Sequence, residues 1–139
     1  METTATAKLE TGRFPEVTAV LAGRPTQDQW FAFVSQLQTL FSTRKPYVLV
    51  VDGLALEVPP PLGVERAVVE VLRDRRAEMG AYALGVAWCV SSGLLRATVR
   101  SMMTAAAPRF PHVILGNLEG GRTWVRQRLV RAPVQQPGA

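Results

Sequence analysis

The sequence predicts an α/β domain with a mixed, mostly parallel sheet of about five strands and about four helices. Three observations carry this. Tyr47-Val48-Leu49-Val50-Val51 is an unbroken apolar run closed by Asp52-Gly53, as a central parallel strand covered on both faces requires. Trp30, Phe33, Val34, Leu37, Leu40 and Phe41 recur at spacings of three and four, which gathers them on one face of a helix. Strand-like and helix-like segments then alternate to the end of the chain, the pattern of a parallel sheet with right-handed crossovers.

Taken in order, Lys8 to Arg13 and Glu16 to Leu21 approach the period-two alternation of half-buried strands and form an antiparallel pair. Pro15, which cannot donate to a ladder, belongs at an edge or bulge. Gly23-Arg24-Pro25 breaks the strand, and Thr26 with Gln29 three residues later forms a capping box for the first helix. After the central strand, Leu54 to Pro61 is irregular. A second helix starts near Pro61, carries Val64, Val68, Val71 and Leu72 inward, and runs to about Met79, with Gly80 as its C-cap. Tyr82 to Val90 is a second buried strand with Trp88 and Cys89 on opposite faces. Ser91 or Ser92 caps a third helix whose stripe is Leu94, Leu95, Thr98, Val99, Met102 and Met103. Pro111 to Leu115 is a last short strand. Asn117 caps a final helix holding Trp124, Val125 and Leu129, in spite of the weakening Gly120-Gly121 pair. Residues 1–7 and 131–139 read as flexible termini around a domain spanning 8–130.

Composition sets the broad class. At 139 residues, 47% hydrophobic and 19% charged, the chain is long enough for one self-sufficient core and unlike the polar composition of disorder. A single cysteine, Cys89, excludes an intrachain disulfide, and Met1-Glu2-Thr3-Thr4 does not read as a signal peptide, so a cytoplasmic location is expected. The longest uncharged stretch, Met79 to Leu95, is interrupted by glycines and serines, whereas a membrane span wants about 20 apolar residues. The net charge of +5 raises the question of nucleic acid. The arginines are scattered along the chain with acids among them, no helix-turn-helix or aromatic platform accompanies them, and a solvated surface is the simpler reading.

Four stretches carry a resemblance: Gly23-Arg24-Pro25-Thr26, Arg44-Lys45-Pro46 running into Tyr47 to Asp52, Leu84-Gly85-Val86-Ala87-Trp88 with the serines after it, and Asn117-Leu118-Glu119 leading to Trp124. In order and spacing the chain resembles the STAS superfamily, in its SpoIIAA-like branch related to SEC14-type domains. The resemblance implies a STAS-like α/β fold and a binding module of bacterial signalling or regulation. In some such domains it also implies a switch, through phosphorylation of a serine or threonine where the helix after the third strand begins. From Gly53 to Leu62 this chain has no hydroxyl residue, so generic protein binding is the implied activity.

The residues themselves hold no evident catalytic constellation. His112 is the sole histidine and lacks the companions of a metal site or triad. Cys89 lies in an apolar run and reads as a small buried hydrophobe. No Walker loop or dinucleotide fingerprint is present. No catalytic residue, cofactor or metal is expected. Asp52, Ser91 and Ser92 are the candidate contacts for an anion or ligand, because strand ends and helix starts in open α/β sheets gather such groups. The simpler account makes Asp52 a turn residue and the serines caps. The candidate partner-binding surface is the loop after Asp52 and its flanks: Leu56, Val58, Pro60, Leu62, Arg66, Arg96 and Arg100. The expected partner is another protein, with acidic character matching the arginines, or a second copy in a homodimer. The alternative is a carrier of a lipid or other apolar molecule, lined by Trp30, Phe33 and Trp88.

Overall fold

The computed structural model describes residues 4–131. Its strands are β1 (Thr6–Glu10), β2 (Glu16–Gly23), β3 (Tyr47–Leu56), β4 (Ala83–Cys89) and β5 (His112–Leu115). Its helices are α1 (Gln27–Phe41), α2 (Leu62–Asp74), α3 (Arg76–Tyr82), α4 (Gly93–Ala106) and α5 (Leu118–Arg131). The sheet order is β1-β2-β3-β4-β5. β1 pairs antiparallel with β2, and the remaining pairings are parallel. The apolar run 47–51 therefore occupies the middle of the sheet, where both its faces are covered.

Capping explains where the helices begin. Thr26 Oγ1 accepts from Gln29 N at 3.1 Å while Gln29 Oε1 accepts from Thr26 N at 2.8 Å, the reciprocal box expected of that spacing. Ser92, not Ser91, caps α4 by accepting from Leu95 N at 3.3 Å. Asn117 Oδ1 accepts from Gly120 N at 2.6 Å at the start of α5. Glutamines on α1 also cover the free edge of β1, with Gln36 Oε1 accepting from Leu9 N at 2.8 Å, which protects an otherwise open ladder.

The two faces of the sheet are covered unequally. α1, α2, α3 and α4 bury one face in a large core that includes Trp30, Phe33, Leu49, Val51, Val64, Met79 and Trp88. α5 alone lies on the other, over Val48, Val50, Ala87 and Cys89. Trp88 and Cys89 thus point to opposite faces, as the alternation of a strand dictates.

Four points differ from the sequence reading. β3 does not stop at Asp52-Gly53 but continues to Leu56, because β2 offers a partner as far as Gly23. Pairing passes from Val20 with Asp52 to Ala22 with Ala55, one extra residue on β3, which is a bulge that turns the strand end toward the helical face. The second helix breaks at Arg75, whose backbone leaves helical geometry, so five helices replace four. Gly80 is not a C-cap but lies inside α3, where an added Cβ would stand 3.1 Å from the Arg109 side chain. β1 begins at Thr6 and buries Ala7, because these residues pair with Ala22 and Leu21, so the domain starts earlier than residue 8. The expectation for the C-terminal tail lies outside the described residues, except Arg131, which ends α5.

Candidate functional site

The carboxyl edge of the sheet, where β3, β4 and β5 end and α2, α4 and α5 begin, is where most candidate residues were expected. The bulge in β3 decides their fates. It folds Leu56 into the main core at 9% exposure, so Leu56 cannot meet a partner. Pro60 lines the interior beside Trp88 and Val64, and Val58 is half-buried. The aliphatic, proline-rich loop is therefore largely packed inward, because its apolar side chains gain more from the adjacent core than from water. Leu62 is the large apolar side chain here left well exposed, at 61%.

A groove of about 240 Å³ runs between α2 and α4, bordered by Leu62, Arg66 and Val69 on one side and by Ser101, Met102 and Ala105 on the other. The structure thus brings Leu62 and Arg66 together. Arg96 is not part of this groove: its Nη1 donates to Val90 O at 3.4 Å and lies beside Gly116. Arg100, one turn on, is exposed on the same flank. Helical spacing therefore separates this pair from the groove-lining Ser101 and Ala105.

Leu94 was expected inside the stripe of α4 but is 62% exposed. The inward stripe is Leu95, Val99, Met102, Met103 and Ala106, and at 100° per residue Leu94 falls outside it. That spacing was readable in the sequence. Leu62 and Leu94 occupy the first turns of two helices packed side by side, and so present large apolar side chains at the same edge.

Of the remaining candidates, Asp52 and Ser92 have structural employment. Asp52 lies within β3 on the α5 face, paired in register with Cys89, and its Oδ1 accepts from Leu54 N at 3.4 Å. Cys89 is fully buried, and its thiol is pushed up to about 11 by burial, with Asp52 adding to the shift and Arg122 opposing it. At neutral pH it holds its proton, the state of a packing residue more than of a nucleophile. Ser92 is occupied by capping, whereas Ser91 is exposed. His112 is exposed at the start of β5, its ring edge-on to Phe110 at 6.1 Å. Tyr47 is fully buried, and burial, with Glu78 adding, holds its phenol far above the usual range. Among the described residues no three of His, Cys, Asp or Glu converge as a metal site would require.

An enclosed apolar cavity lies in the main core, lined by Trp30, Phe33, Val51, Trp88 and Met102 among others. Its volume is about 40 Å³, an order of magnitude below the roughly 300–1,000 Å³ of sites that take drug-sized ligands.

Across the sheet, α5 forms an ion pair that no sequence spacing announces. Arg126 Nε and Nη2 donate to the two carboxylate oxygens of Glu16, at 2.6 and 3.1 Å. This bond holds the Glu16 carboxyl below its ordinary range, with Arg122 and Arg13 contributing and partial burial opposing. A polar groove of about 490 Å³ opens beside it, bordered by Arg13, Thr18 and Arg122.

No helix is long and apolar enough to cross a membrane, among the described residues. No family model matches the chain and no curated protein matches it in sequence. Among solved structures it is similar to an uncharacterized protein of the DUF3478 family with a SpoIIAA-like fold from Shewanella loihica PV-4. The identity is 12%, the TM-score 0.58, and the alignment covers 88% of this chain and 93% of that one. The fold is SpoIIAA-like, as the order and spacing of the elements implied.

Proposed function

We propose that this SpoIIAA-like domain is a non-enzymatic protein-interaction module of bacterial signalling or regulation, whose contact surface is the α2–α4 groove with its two exposed leucines. One observation carries the reading: Leu62 and Leu94, each more than 60% exposed, stand in the first turns of neighbouring helices, and Leu62 opens onto a groove rimmed by Glu65, Arg66, Glu70 and Arg73, with Ser101 and Ala105 across it. Exposed apolar side chains with a charged rim and small residues between them are the make-up of a protein contact. The expected partner is another protein or a second copy of this chain. The carrier alternative finds little support, since the one enclosed apolar cavity described above holds about 40 Å³.

Photo-crosslinking tests the proposal. A benzophenone side chain placed at Leu62 or Leu94 is expected to trap one discrete partner, or a dimer of this chain, in the native cell, whereas the same probe at exposed Phe31 traps neither. Leu62→Asp with Leu94→Asp should abolish that product while leaving the circular dichroism unchanged. Equal crosslinking from all three positions would sink the reading.

A further inference from the structure

The basic residues are scattered along the chain but not in space. β2 to β5 all enter the sheet at one edge, and the segments that lead into them carry Arg13, Arg44, Lys45 and Arg109. α2 and its break deliver Arg73, Arg75 and Arg76 to the same edge, where Arg73 and Arg76 donate to Ala105 O and Ala106 O at the end of α4. α5 runs back toward this edge, as the approach of its Gly121 to Cys89 and its Trp124 to Gly85 shows. It finishes there with Arg126, Arg128 and Arg131.

Ten of the sixteen cations therefore gather at the entry edge. Four acids accompany them: Glu10, Glu16, Asp74 and Glu78. The rest of the described chain holds six cations and six acids, so this edge carries the whole of its positive excess. Glu16 and Glu78 are engaged by Arg126 and Arg75. Arg13, Arg44, Lys45 and Arg109 are exposed and have no ion-pair partner among the described residues. Beside them Phe14 is 41% exposed and borders a groove of about 360 Å³ with Thr43, Arg44 and Lys45.

We propose that this edge binds a single-stranded nucleic acid, with its phosphates along the guanidinium row and a base stacked on Phe14. Four strand entries about 4.8 Å apart make a row roughly 15 Å long. Guanidinium groups match phosphate oxygens in a two-pronged geometry, and an aromatic face beside a cationic track is how single strands are held without sequence preference. An acidic protein surface does not join an aromatic ring to each of its charges, as every nucleotide does. A membrane would need a broader apolar band than Phe14 and Val130, the large apolar side chains exposed at this edge.

The test is fluorescence anisotropy with a labelled 15-nucleotide oligouridylate at 50 and 200 mM potassium chloride. The native chain should bind, and weaken roughly fiftyfold over that range, the loss expected for about four neutralised phosphates on a single strand. Arg44→Glu with Lys45→Glu should weaken binding at least tenfold at 50 mM, and Arg109→Glu should weaken it severalfold. Phe14→Ala should lose about fivefold while keeping the salt dependence. Arg24→Glu with Arg100→Glu changes the total charge as much as the first pair, away from both this edge and the α2–α4 groove, and should leave binding within twofold. The proposal is overturned if that control pair weakens binding as strongly, or if no salt-dependent binding occurs. It is overturned as well if polyglutamate or vesicles with one-third anionic phospholipid bind more tightly than the oligouridylate.

Discussion

Four helices cover one face of the sheet and a single helix covers the other, and the two faces are held by opposite means. The α1–α4 face is built from volume: Trp30, Phe33, Leu37, Phe41 and Met79 are all nearly inaccessible. The α5 face is built from the lack of it. An added Cβ on Gly121 would overlap Cys89 Sγ, and one on Gly85 would stand 2.9 Å from the Trp124 ring. α5 lies against β3 and β4 because glycine on helix and strand lets the backbones approach. One face should therefore suffer when a side chain is cut, and the other when one is enlarged.

The largest effect is expected on the thick face. Trp30 is 2% exposed and packs edge-on to Phe33 at 6.3 Å, so Trp30→Ala should cost about 3–5 kcal/mol in urea unfolding at an unchanged m-value. A loss under about 1.5 kcal/mol would mean that the core collapses into the gap, and the contrast between the faces would fail on its stronger side.

The next effect belongs to the thin face and has the opposite sign of volume. Gly121→Ala should destabilise by roughly 1–2 kcal/mol, an overpacking strain of about 1–3 kcal/mol partly offset by the better helix propensity of alanine. Because the clash is with Cys89 Sγ, adding Cys89→Ala should recover part of the loss, a coupling that a double-mutant cycle measures. Gly63→Ala, where nothing lies within 4 Å of the added Cβ, should be neutral or stabilising.

The same contrast explains what was legible in the sequence. The strand and helix order, the buried run at 47–51 and the Thr26–Gln29 box are local signals, written in periods of two and about four and in fixed cap spacings, and the folded chain keeps them. Gly120-Gly121 was readable only as a weakness in a helix, since its use is contact with Cys89, some thirty residues away in sequence. The inward turn of Leu56 and Pro60 was hidden for a related reason: it depends on a bulge that exists because β2 reaches Gly23. Scattered arginines likewise looked unorganised until parallel strands brought their entry loops to one edge. Leu94 is the exception, a miss that the helical spacing itself could have prevented.

A smaller effect probes the thin face by titration. Burial pushes the Cys89 thiol up to about 11 from an ordinary 9, so its folded-state value lies above the unfolded one. The stability it contributes is complete below about pH 9 and is lost as the pH rises toward about 11, since the unfolded chain releases that proton first. The stability difference between the native chain and Cys89→Ala should be constant below about pH 9 and change only as the pH rises through that window. In the folded chain at pH 8 the thiol should react with a disulfide reagent far more slowly than in urea.

The smallest effect lies at the rim of the α5 face, where volume counts for neither side. Glu16 is held by Arg126 in a two-pronged bond whose arginine is well exposed, and exposed pairs contribute little. Its carboxyl is depressed below the ordinary range by that bond, so its contribution is present above the unfolded value of about 4.3 and disappears as the pH falls through the folded one. Glu16→Gln should therefore lower the melting temperature slightly at pH 7, and the two curves should converge as the pH falls below the ordinary carboxylate range and also draw together at 0.5 M salt. A difference that survived both acid and salt would show that α5 is held at this rim by packing, and the thin face would then resemble the thick one more closely than its glycines indicate.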